Sequence, residues 1–214
     1  MRVQQIYLIR HGETAWNVDG RWQGQLDVPL SERGIQQAKA LGAYLRGRPL
    51  THVYASDLKR AHVTAELIAD AVGAQVVTDV RLREMHLGVL QGLTKPEIER
   101  RYPHELKGMH DNWLEHQVEQ GESRRMVQAR AMAVLDEAAA QHPASEVALV
   151  AHGGVIRVMM QRLFGAVFEA MHKPIENTSL TTLALKNGKW EIVTFAETPH
   201  LAPHVPPTQP GEAQ

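Results

Sequence analysis

Residues 3–17 read VQQIYLIRHGETAWN, and this stretch decides what kind of sheet the chain can build. Val3, Ile6, Tyr7, Leu8 and Ile9 favour an extended strand that is continuously apolar over its second half, as a strand covered on both faces requires. The strand closes on Arg10, followed by His11 and Gly12. A cation and an imidazole are costly to bury without partners, so this strand end is expected to face a site where something negative arrives.

The same unit recurs along the chain. A polar, glycine-bearing loop (16–30) leads to LSERGIQQAKALGAYLRG (30–47), where Ser31 can N-cap a helix carrying Ile35, Ala38, Leu41 and Leu45 at helical spacing. HVYAS (52–56) reads as a short strand, DLKRAHVTAELIADAVG (57–73) as a helix closed by Gly73, and AQVVTDVRLRE (74–84) as a further extended segment stopping at Glu84. SRRMVQARAMAVLDEAAAQH (123–142) reads as a helix with Met126, Ala129, Ala133, Leu135 and Ala139 near one face. SEVALVAHGG (145–154) is the most apolar strand and again ends in an imidazole, His152; VIRVMMQRLFG (155–165) continues as a helix. SLTTLALKNGKWEIVTFAE (179–197) gives two strands around an Asn187-Gly188 turn.

Alternating strands and helices predict an α/β sandwich, mostly parallel, with an antiparallel edge from the late hairpin. Such sheets bind ligands beyond the carboxyl ends of their strands. Arg10 and His11, Ser56 leading to Arg60, Glu84 and His152 all fall there. Two arginines, two histidines and one glutamate, with no carboxylate cluster, favour an anion over a metal. Arginine forks match phosphoryl oxygens, and a neutral imidazole can attack phosphorus. His11 is thus the candidate nucleophile, Arg10, Arg60 and His152 the candidate phosphate ligands, and Glu84 the candidate proton donor. The amides of Gly153 and Gly154 are expected to complete the anion cradle at a helix start.

Composition narrows the classes. With 214 residues, one domain over 1–201 is expected, with a charged helical lid at about 94–121 and a disordered Pro-rich tail at 202–214. The 23 Lys+Arg balance 24 Asp+Glu, a net charge of -1, so no nucleic-acid or membrane partner is expected. Cysteine is absent, which removes disulfides and thiolate chemistry and fits a cytoplasmic setting. No signal peptide and no apolar stretch of about 18 residues is found. An exposed edge strand would support a homodimer.

The motifs LIRHGET (8–14), SDLKRAHVTAEL (56–67), RLREMHLGVLQG (81–92) and VAHGGVIR (150–157), with GES (121–123), NTSL (177–180) and ETPHL (197–201), together resemble the histidine phosphatase superfamily, the phosphoglycerate mutase-like family. The resemblance runs from about residue 3 to 201. It implies a three-layer α/β/α sandwich with a mixed six-stranded sheet, a phosphorylated His11, a phosphate pocket of Arg10, Arg60 and His152, and Glu84 as general acid, without metal or cofactor. It further implies phosphate or substrate contacts from Asn17, Gln23 and Gly24. Arg100, Arg101 and Tyr102 in the lid are candidate substrate contacts. Where many members read G-x-W-E-G, this chain has Leu90 and Gln91, a departure expected to alter the substrate wall. The implied activity is metal-independent hydrolysis of a small phosphate ester through phosphohistidine. The alternatives are a phosphoglycerate mutase and a non-catalytic phosphate-ester or protein-binding module.

Overall fold

The computed structural model describes residues 4–143 and 145–201. In chain order it contains β1 (Gln4–Arg10), α1 (Ala15–Val18), α2 (Glu32–Tyr44), β2 (Leu50–Ala55), α3 (Lys59–Val72), β3 (Gln75–Thr78), α4 (Lys95–Arg101), α5 (Pro103–Asp111), α6 (Arg124–Gln141), β4 (Glu146–Ala151), α7 (Gly153–Phe164), α8 (Ala166–Glu169), β5 (Leu180–Lys186) and β6 (Lys189–Glu197). Val3 and the segment 202–214, expected to be a strand residue and a disordered tail, lie outside the described residues.

The apolar run in β1 is explained by two cores. Ile6 and Leu8 point into one, with Val134 and Leu135 of α6 and Val155 and Met159 of α7. Tyr7 and Ile9 point into the other, with Leu41 of α2 and Ala61 and Ile68 of α3. Side chains alternate across a strand, so a strand with helices on both faces must be apolar at every position. The six strands pair in the order β3-β2-β4-β1-β5-β6. β1, β2, β3 and β4 run parallel, and β5 and β6 are antiparallel. This is the mixed three-layer sandwich expected.

Local chemistry sets the element ends. Ser31 accepts from the Gly34 N–H and caps α2; Gly73 closes α3 in the left-handed region. Asn187 and Gly188, both at positive φ, turn β5 into β6. Two readings need correction. The extended segment expected to reach Glu84 stops at Thr78, because the Asp79 carboxylate accepts from the Arg81 N–H and starts a short 3-10 turn. The buried face of α6 is Val127, Gln128, Ala131, Val134, Leu135 and Ala138, while Met126 is exposed. Alanines all round this helix leave its apolar stripe undefined by periodicity alone.

Register brings the functional strand ends together: Arg10 pairs with Ala151, and Ala55 with Val150. Parallel neighbours therefore deliver Arg10-His11, Ser56 and His152 to one rim. Among the described residues no helix is long and apolar enough to cross a membrane.

Candidate active site

A cleft of about 460 Å³ opens at this rim, lined among others by Arg10, His11, Asn17, Gln23, Gly24, Arg60, Glu84 and Gly153. His11 is 3 % exposed and its Nδ1 lies 2.7 Å from the Gly12 carbonyl oxygen. A carbonyl only accepts, so Nδ1 carries the hydrogen and Nε2 presents its lone pair. Burial, with Arg10 and Arg60 beside it, holds His11 well below the ordinary imidazole range. The imidazole is neutral at pH 7.

His152 has the opposite tautomer. The Arg60 Nε–H donates to its Nδ1 at 3.3 Å, which leaves the ring hydrogen on Nε2. That Nε2 is buried without a protein partner. Burial and Arg60 hold His152 well below the imidazole range as well. The two rings lie 5.1 Å apart between centroids. One buried imidazole therefore offers a lone pair and its neighbour an N–H.

Arg60 is 1 % exposed and held by three acceptors: the Leu26 carbonyl (2.8 Å), the Gly24 carbonyl (2.7 Å) and His152. Burial pushes its pKa down to about 10, against the pull of Glu84 and Asp27, so it remains a cation. Arg10 donates to the Ile175 carbonyl at 2.7 Å and keeps a buried Nε–H without a partner. Gly24 sits at φ +52 with Gln91 packed where a Cβ would go, which requires glycine.

Glu84 accepts from the Met85 N–H (2.8 Å) and the Gly154 N–H (3.1 Å). The Gly154 amide, expected in the anion cradle, is thus engaged by a carboxylate instead. Arg130 holds the backbone beneath Glu84, donating to the carbonyls of Arg81 (2.7 Å), Arg83 (2.5 Å) and Glu84 (3.0 Å) while paired with Glu122 at 2.9 Å. Burial raises the Glu122 carboxyl, but hydrogen bonds from Arg130 and the His86 amide outweigh it and lower the pKa.

Thr14 caps α1 and Asn17 completes the capping box, its Oδ1 accepting from the Thr14 N–H, and Asn17 lines the cleft. Gln23 Oε1 is buried without a partner beside the same cleft. Arg100, Arg101 and Tyr102 do not line it. α4 buries Ile98, and Arg100 and Arg101 project to solvent from its other side. Tyr102 packs against the core with Arg101 over its ring. Leu90 is fully buried in the core and Gln91 accepts the Gln25 N–H at 2.7 Å, so that departure fills structure instead of shaping the substrate wall.

Arg21, Met109, Arg124 and Arg157 line the cleft and were not anticipated. Arg157 had a signal: it stands one turn after Gly153 on the same helix. His116 Nε2–H donates to the carboxylate of buried Glu105 at 2.7 Å. His104, Glu105 and Glu119 bring ligand atoms within 4.8 Å of one another, but Glu105 is already occupied by His116 and the Glu119 N–H.

The family model of the histidine phosphatase superfamily (branch 1) matches residues 6–198. Phosphoglycerate mutase-like protein 4 of Arabidopsis thaliana is 37 % identical over 201 residues, covering 92 % of this chain and 86 % of the relative. A mycobacterial glucosyl-3-phosphoglycerate phosphatase, solved with VO3, superposes with a TM-score of 0.78 at 35 % identity, over 91 % of this chain and 99 % of that one. YhfR of Bacillus stearothermophilus superposes with a TM-score of 0.83 at 32 % identity, over 92 % and 98 %. With a family model matched over residues 6–198 and a relative 37 % identical across nearly its whole length, the chain belongs to the histidine phosphatase superfamily.

Proposed function

We propose that the protein is a metal-independent phosphomonoesterase that hydrolyses a small phosphate ester through phosphohistidine, with residues 94–121 acting as a lid on a single domain. The observation that carries this reading is the pair of opposite tautomers at His11 and His152, set between two buried arginines. His11 Nε2 attacks phosphorus as the bond to the ester oxygen breaks, and Glu84 gives that oxygen its proton. The His152 Nε2–H, Arg10 and Arg60 donate to the equatorial oxygens as charge develops on them. The phosphorylated ring is cationic, and the Gly12 carbonyl holds its Nδ1–H. Water then attacks phosphorus and loses a proton to Glu84; the P–N bond breaks and neutral His11 returns.

The rival reading is a phosphoglycerate mutase, favoured by the mutase-like relative; it would return the phosphoryl group to substrate before water enters. A phosphate-binding module would have no use for Glu84. The test is phosphate release from metabolite esters and p-nitrophenyl phosphate with chelator present, comparing the native chain with His11→Ala, and with isomerisation of 3-phosphoglycerate followed in parallel. Release that survives chelator and vanishes with His11 supports the phosphatase. Isomerisation without release would make it a mutase, and silence in both would leave a binding module.

A further inference from the structure

The loop that follows Ile175 wraps the end of β1 and carries a strained residue. Thr178 stands at φ +56 and is wholly buried. A β-branched residue is rarely found there, and such strain persists only where the surrounding structure imposes it. The Thr178 N–H donates to the carbonyls of Arg10 (3.0 Å) and His11 (3.3 Å). Its hydroxyl donates to the Asn177 carbonyl at 2.7 Å, and so it can only accept from His200, whose Nε2 lies 2.9 Å away. The Ser179 carbonyl accepts from the Arg10 N–H at 3.3 Å. The loop is therefore pinned to the strand end that holds the candidate nucleophile.

The strain places one side chain. Asn177 Nδ2 donates to the His11 carbonyl at 3.0 Å and to Asn17 Oδ1 at 3.3 Å. Asn17 Oδ1 also accepts from the Thr14 N–H at 3.0 Å and from the Thr14 hydroxyl at 3.1 Å. Neither amide can be turned end for end: the atom facing the Thr14 N–H must be an oxygen, and the atom facing the His11 carbonyl must carry hydrogens. With three donors on its Oδ1, Asn17 has Nδ2 left to meet an anion in the cleft it lines, whereas Asn177 does not line that cleft.

Resting on the phosphatase reading, we infer that Asn177 is a positioning residue for phosphate binding: anchored on the His11 carbonyl, it fixes the Asn17 amide so that the Nδ2 hydrogens donate to the phosphate beside the nucleophile. One Nδ2 group reaches both oxygens, so Asn17 and the His11 main chain keep a common reference. Without Asn177, Asn17 is held by Thr14 at its own helix cap and nothing ties it to the strand end. A hydrogen bond to a charged acceptor is stronger than a neutral one, so a displaced Asn17 amide shows first in phosphate affinity.

The test is a double-mutant cycle read by titration calorimetry with inorganic phosphate on the native chain, N177A, N17A and the double variant, each beside a thermal melt. N17A should weaken phosphate binding by about tenfold and N177A by about fivefold, while N177A added to N17A should cost less than about twofold. A side chain that only braces the loop would weaken phosphate by the same factor in both backgrounds. Equal factors therefore overturn the inference, as do native affinity in N177A and no detectable phosphate binding by the native chain. If N177A does not fold, N177S takes its place: one hydroxyl hydrogen cannot serve both oxygens, and the same coupled losses are expected. A chain that folds with neither substitution makes Asn177 part of the scaffold and overturns the inference as well. Phosphate release from p-nitrophenyl phosphate by the native chain reports separately on hydrolysis. Release with equal factors removes the positioning role alone, and coupled losses without release remove hydrolysis while the positioning role stands.

Discussion

Gly154 is the second residue of α7, and its N–H donates to Glu84 Oε2 at 3.1 Å. A Cβ on Gly154 would lie 2.4 Å from Glu84 Oε1 and 3.1 Å from its carboxyl carbon. Relief of that overlap requires the carboxylate to withdraw by roughly 1 Å. The helix itself does not suffer, since alanine is favoured over glycine by about 0.8–1 kcal/mol in a helix interior. Gly154→Ala therefore moves the proton donor without weakening its scaffold. A misplacement of about 1 Å costs on the order of 100-fold in rate, or about 2.7 kcal/mol of barrier, within the range general acid catalysis supplies. Turnover of an alkyl phosphate, whose leaving alkoxide needs a proton, should fall by about that factor in Gly154→Ala. Turnover of p-nitrophenyl phosphate, whose leaving group departs as a stable anion, should fall by about threefold or less. Both substrates are compared by kcat/KM, which ends at release of the alcohol and excludes the later water step that Glu84 also serves, beside a thermal melt, which should not drop. Parallel losses on the two esters, or an alkyl phosphate turned over at the native rate, would refute Glu84 as the acid held by Gly154.

Two further predictions concern stability. His11, His152 and His200 are all held below the usual imidazole range by burial, His200 down to about 4; they are neutral in the fold, whereas the unfolded chain protonates near 6.5. Their contribution is therefore complete above pH 6.5 and is lost as pH falls below it, so the urea midpoint should decline steadily from pH 7 to 5, above the range where carboxylates titrate. A flat midpoint would mean that these rings are charged in the fold. Arg130→Ala removes the donor to three carbonyls around Glu84 and strands Glu122, whose side chain is 17 % exposed. The expected cost is about 3 kcal/mol in urea unfolding, with lost alkyl phosphate turnover; Arg130→Lys should recover stability more than turnover, and an Arg130→Ala chain of native stability would contradict the bracket.

The strands of the sheet centre and the helices beside them were legible because each announces itself locally. The apolar run of β1, the Ser31 cap, Gly73 and the Asn187-Gly188 turn act within a few residues of themselves. The face of α6 was misread, because alanine on every side gives no contrast between core and solvent. Arg100 and Arg101 were expected at the substrate because they are cationic and lie in the excursion. Their helix turns its Ile98 side inward, and sequence position does not state a helix's rotation.

By itself the sequence determined the parallel α/β layering and which residue types stand at the strand ends, because strand periodicity and turn chemistry are short-range. Only the tertiary structure decided the tautomers of His11 and His152, the capture of the Gly154 amide by Glu84, and the bridge from Asn177 to Asn17. Each of these depends on a partner from a distant segment, as with Gly154 and Glu84, 70 positions apart. Hydrogen bonds and charges at such separations exist only once the sheet register has brought their strand ends and loops together.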